Sequence, residues 1–90
     1  MIAVSDLRKG NLIGTEYGIL PVHAIVFNDI QVKGTDGRIL WAKQTEGVEI
    51  DSNNLKNISE KDKEDYLVVY SFVHELQNWF YWNYRFELNI

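Results

Sequence analysis

The run Trp79-Phe80-Tyr81-Trp82 constrains this chain more than any other feature. It lies inside SFVHELQNWFYWNY, residues 71–84, whose pattern predicts a helix from Val73 to Tyr84 with Ser71 as its N-cap. Consecutive helical residues are turned by about 100°, so four in a row point in four directions. One core cannot receive all four. Phe72, Val73, Leu76, Phe80 and Tyr84 share one arc, with Trp79 at its edge, and form the stripe expected to be buried. His74, Asn78, Tyr81 and Trp82 fall on the opposite side, flanked by Glu75. A purely solvated helix face carries Lys and Glu. This one carries aromatics with polar tips, residue types enriched at interfaces. These four residues are therefore the candidate binding surface. The alternative is that the connector before the helix, or the C-terminal tail, folds over them and buries the face within the monomer.

The totals narrow the field. Ninety residues make one domain, 1–90, in which folding hides only about 60% of the unfolded chain's surface. An apolar content of 46% supports a folded core, but a thin one that oligomerisation would supplement. The net charge of −4 and pI near 5.0 argue against a nucleic-acid backbone as partner. The sequence has no cysteine, which excludes a disulfide framework and a thiolate metal site. The start, MIAVSDLRKG, has too short an apolar run for a signal peptide, and no stretch reaches membrane-spanning length. The expectation is a cytosolic protein.

Residues 11–50 read as a meander of short strands. Asn11–Gly14 is a short strand, and Ile19–Phe27 is β-branched and nearly continuously apolar, with Pro21 at an edge. Asn28-Asp29 predicts a turn into Ile30–Lys33. Asp36-Gly37 then predicts a two-residue type I′ hairpin with positive φ at both positions. That register sets Thr35 opposite Arg38 and Val32 opposite Trp41, leaving Leu40 and Ala42 half exposed. Gly47–Ile50 is a further strand.

Beyond Ile50 the character changes. The stretch 44–65 holds seven acids against three lysines, so its balance equals the −4 of the whole chain. It reads as an acidic connector, 51–65, with Leu55 and Ile58 plugging the core from a 3₁₀ turn. Tyr66–Tyr70 reads as a buried strand, and Phe86, Leu88 and Ile90 alternate with Glu87 and Asn89 as a short final strand. A competing reading is one helix from Glu60 to Tyr84, since Ser59-x-x-Asp62 resembles a capping box and Tyr66, Val69, Val73, Leu76 and Phe80 keep helical spacing.

Two motifs, Leu7-Arg8-Lys9-Gly10-Asn11-Leu12 and His74-Glu75-Leu76-Gln77-Asn78, followed by Glu87-Leu88, give the chain a likeness. It resembles small uncharacterised proteins of gut anaerobes and their phages, which begin with Leu-Arg-x-Gly-Asn-Leu and end with an aromatic His-x-Leu-Gln-Asn helix and a Glu-Leu tail. Their helix closes at a Thr-Gly pair where this chain has Tyr84-Arg85. The resemblance implies a small SH3-like β-barrel plus helix, and it implies no activity. Together with the patterning it predicts an α+β domain: a small SH3-like barrel or strongly bent antiparallel sheet, one C-terminal helix and a short final strand.

No constellation for chemistry emerges. His74-Glu75 has no second histidine at helical spacing, and His23 would have to reach it from a distant strand, so no metal site is expected. No nucleophile elbow, phosphate loop or cofactor motif is present. The expected role is a non-enzymatic accessory or protein–protein interaction module, phage-associated, with a homodimer as the first specific partner. The alternative is single-stranded nucleic-acid binding, with Trp41, between Arg38 and Lys43, as a stacking platform.

Overall fold

The computed structural model describes residues 2–43, 46–56, 58–67 and 70–88. Five antiparallel strands form its sheet: β1 (Leu12–Thr15), β2 (Gly18–Val26), β3 (Asp29–Lys33), β4 (Ile39–Ala42) and β5 (Glu46–Gly47), in the order β4-β3-β2-β1-β5. The sheet is open, with β4 and β5 at its edges, so the domain is α+β without a closed barrel among the described residues. The nine-residue β2 is its spine. Its first half pairs with β1 and its second half with β3, and the register shifts between Val22 and Ala24 at His23. An extra residue there bends the strand and strengthens its twist.

The alternation of β2 and β3 decides where the core lies. Ile13, Leu20, Val22, Ile30 and Val32 are buried on one face, joined by Leu7 from the N-terminal segment. The predicted hairpin exists, but its register is one residue off. The Gly37 amide donates to the Gly34 carbonyl (3.0 Å) and the Gly34 amide to the Arg38 carbonyl (2.7 Å), which closes a three-residue loop. Only Gly37 takes positive φ (+86°), and the Asp36 carboxylate instead accepts the Arg38 amide (3.0 Å). This is a type I turn followed by a left-handed glycine, which spares Asp36 the strained conformation that a type I′ turn would demand. The consequence is large, because a one-residue slip exchanges the two faces. Val32 pairs with Leu40, whereas Trp41 pairs with Gln31 and points to solvent.

The β2–β3 turn is also displaced by one residue from its expected place. It consists of Phe27 and Asn28, with Phe27 at φ +56° and 94% exposed.

The C-terminal half corrects two expectations. Among the described residues there are two α-helices, α1 (Glu60–Leu67) and α2 (Val73–Tyr84), rather than one helix or a strand and a helix. Tyr66 and Leu67 belong to α1, Tyr70 lies outside any strand, and Val68 and Val69 fall outside the described residues. The helical start follows from the Ser59 hydroxyl, which accepts the Asp62 amide (3.2 Å) and donates to the Asp62 carboxylate (2.9 Å). At the entrance to α2 the cap position is Phe72, not Ser71, and Glu75 accepts the amides of both (3.1 and 3.3 Å). The segment after β5 threads past that entrance: Glu49 bridges Phe72, and the Val73 amide donates to the Val48 carbonyl (2.7 Å).

Ile58, Leu76, Phe80 and Leu88 form a second buried cluster, with Leu55 and Trp79 packed on it. Ile58 and Leu55 thus plug the core as expected. The predicted final strand is absent from 85–88: Leu88 is buried but Phe86 is exposed, and Asn89 and Ile90 lie outside the described residues. Arg85 ends α2 in the left-handed conformation (φ +54°), a position that usually takes glycine. Phe72 and Tyr84, expected in the buried stripe, are exposed, and the Tyr84 hydroxyl donates to Asp62 of α1 (3.1 Å). That hydrogen bond holds the phenol's pKa above its ordinary value.

Candidate functional site

The segment from Asp6 into the start of β1 bonds to β2 only through Gly10 and Asn11 at Val22, and its remaining backbone polar groups need partners from elsewhere. Two side chains of α2 do this. Gln77 accepts the Leu12 amide (2.8 Å) and donates to the carbonyls of Gly10 (3.1 Å) and Leu88 (3.2 Å). Asn78 donates to the Asp6 carbonyl (2.8 Å) and accepts from Asn11 (2.9 Å), whose own oxygen accepts the Arg8 amide (2.6 Å). A carboxamide offers donor and acceptor together, so each can tie two chain segments at once. The N-terminal loop and the C-terminal tail are both fastened to α2 by this pair.

Arg8 completes the clamp. It forms an ion pair with Glu87 and lies over the Tyr81 ring, 3.9 Å from its centroid. Every segment of the two sequence motifs therefore converges on one place, where it holds the chain's own segments together.

Of the four predicted site residues, His74 is buried (5% exposed), Asn78 is half-buried in the clamp, and Tyr81 is half-buried beneath Arg8. Only Trp82 stands in solvent, 65% exposed. The face is covered from a direction the helical pattern could not reveal, by the N-terminal segment. His74, Asn78 and Trp82 still meet, as walls of a groove of about 570 Å³ completed by Asp6, Tyr70 and Trp79 among others. Tyr81 faces a different recess, with Arg8 and Glu87. Arg85 approaches both aromatics, its guanidinium 5.5 Å from the Tyr81 centroid and 5.9 Å from that of Trp82.

Burial pushes the His74 pKa below its ordinary value of 6.5, although the charges of Glu75 and Asp6 oppose this. Its Nδ1 is buried and makes no hydrogen bond. His23 sits at the β2 bulge, and among the described residues no group of three or more histidine and acidic side chains could hold a metal ion.

Trp41 is the second aromatic candidate. On the outer face of the sheet it forms a row with Gln31 and Ala24, is 52% exposed, and adjoins a groove of about 520 Å³ shared with Lys43. Sequence reasoning missed the clamp partners, Gln77 and Asn11, and the groove walls Asp6 and Tyr70. Both Gln77 and Asn11 stand in the two sequence motifs, Leu7–Leu12 and His74–Asn78. Among the described residues no helix is long and apolar enough to cross a membrane. Comparison with protein-family models, with curated proteins and with solved structures returned no match.

Proposed function

We propose that this chain is a cytosolic, non-enzymatic interaction module that docks protein surfaces, a second copy of itself first, through the Trp82 edge of α2. The observation that carries the reading is the division of that helix. Gln77 and Asn78 are engaged internally, whereas Trp82 remains 65% exposed beside a groove. Large aromatics of this kind, set beside a recess, supply most of the binding energy at interfaces. Arg85 adds to the case, since a non-glycine residue held at positive φ stores strain, and such strain gathers at functional positions. The convergence of both motifs on one clamp supports a fold marker rather than a catalytic signature, in keeping with the resemblance to small uncharacterised proteins of gut anaerobes and their phages. The same resemblance implies a small SH3-like barrel plus helix as the parent architecture.

The test is sedimentation equilibrium of wild type beside Trp82→Glu. Self-association predicts a mass rising toward twice 10.5 kDa with concentration for the wild type, and 10.5 kDa throughout for the variant. Two folded monomers at every concentration would refute it.

The slipped hairpin register also favours a second reading, single-stranded nucleic-acid binding. It turns Trp41 outward beside Lys43 on the open sheet face. Each base stacked on an aromatic contributes about 1–3 kcal/mol. Quenching of Trp41 fluorescence by oligo-dT, lost in Trp41→Ala and weakened by salt, would support this role.

A further inference from the structure

The groove beside Trp82 has a composition that specifies what it takes. Its walls include three aromatic side chains, Tyr70, Trp79 and Trp82, and two carboxylates, Asp6 and Glu75. Aromatic faces carry negative potential and attract cations, more strongly where water is partly excluded. We infer that this groove recognises a basic side chain, a lysine or arginine projecting from the docked protein, with the aromatics packing on its stem and Asp6 pairing with its charge. This rests on the reading of α2 as a protein-docking surface and names the chemistry that the surface selects.

Further observations agree. The Asp6 carboxylate has no hydrogen bond or ion pair among the described residues, because the clamp uses its backbone carbonyl. His74, buried in the groove wall, leaves its Nδ1 unpartnered, and burial favours its neutral form, which does not repel a cation. Arg8, the one cation in the lining, is neutralised by Glu87 and held over Tyr81. Arg85, 5.9 Å from the Trp82 centroid, already shows a guanidinium drawn to this ring.

The experiment is a titration followed by the indole N–H signals of Trp79 and Trp82 in NMR spectra. The probe is the blocked peptide acetyl-Ala-Ala-Lys-Ala-Ala-amide, with a control carrying norleucine in place of lysine. The lysine peptide is expected to shift both indole signals and saturate at millimolar concentration. The norleucine peptide should bind roughly tenfold more weakly. Asp6→Asn, which keeps the backbone acceptor and hence the clamp, should weaken the lysine peptide by about threefold or more.

Equal binding of both peptides would overturn the inference, as would shifts confined to α1 or no shift at all. Its fate is separable from that of self-association. A monomer that discriminates lysine from norleucine sinks only the dimer, and a dimer indifferent to lysine sinks only this inference.

Discussion

Asn11 and Asn78 meet through a single hydrogen bond, Nδ2 to Oδ1 at 2.9 Å, and so join the loop before β1 to the middle of α2. Asn11 is fully buried and its oxygen also receives the Arg8 amide. Asn11 has no exposed surface through which water could replace that bond, so the bond fixes the docking of the helix on the sheet. Asn11→Ala strands the Arg8 amide and one oxygen of Asn78, and should cost roughly 2–4 kcal/mol in chemical denaturation. A double-mutant cycle with Asn78→Ala should show coupling of about 1 kcal/mol. Strict additivity would mean that the two side chains do not interact.

The β3–β4 hairpin gives a second test. Gly37 sits at φ +86° with open space around its missing side chain, so only backbone strain opposes a substitution there. Gly37→Val should destabilise by about 1–2 kcal/mol, and Gly37→Asn by clearly less, since asparagine tolerates the left-handed region. Equal losses for the two would assign the cost to something other than φ.

His74 links stability to pH. Burial lowers its pKa in the folded protein below 6.5, so the unfolded chain binds the proton more readily. Stability is therefore complete above pH 6.5 and falls as the pH drops from there toward the lowered folded value. His74→Gln should flatten that part of the melting-temperature profile. A wild-type profile flat across the same window would show that His74 is not held neutral by the fold.

Much of this architecture is legible in the sequence, and the failures have physical causes. The bounds of α2 follow from its periodicity and from the turn chemistry around it, and they hold at Val73 and Tyr84. The first three strands are placed within a residue, because alternation of Ile30, Val32 and their neighbours is a local signal, whereas the strand expected at Gly47–Ile50 is confined to Glu46–Gly47. Register is not local. Asp36-Gly37 suits either a two-residue or a three-residue loop, and the choice rests on whether Asp36 uses its backbone or its carboxylate. The first choice pairs Trp41 with Val32; the second pairs it with Gln31 and turns it to solvent. The strand expected at Tyr66–Tyr70 rested on β-branched and aromatic propensity, yet Tyr66 and Leu67 are helical, continuing a helix that Ser59 starts. The site suffered similarly. Helical spacing correctly separates the Leu76 face from the His74 face, but it cannot reveal that residues 6–12 cover half of the latter.

The account turns on this division of α2 into a side that holds the molecule together and an edge that is free to bind. Thermal unfolding of Gln77→Met beside Trp82→Glu, at a concentration low enough to suppress association, tests it most directly. Gln77→Met leaves the Leu12 amide and two carbonyls without partners. It should lower the melting temperature by about 10 °C or more, at roughly 4–8 °C per kcal/mol for a domain this size. Trp82→Glu should melt within about 2 °C of wild type, as an exposed substitution does. A Trp82→Glu protein that melts as low as Gln77→Met would make Trp82 part of the fold and contradict the account.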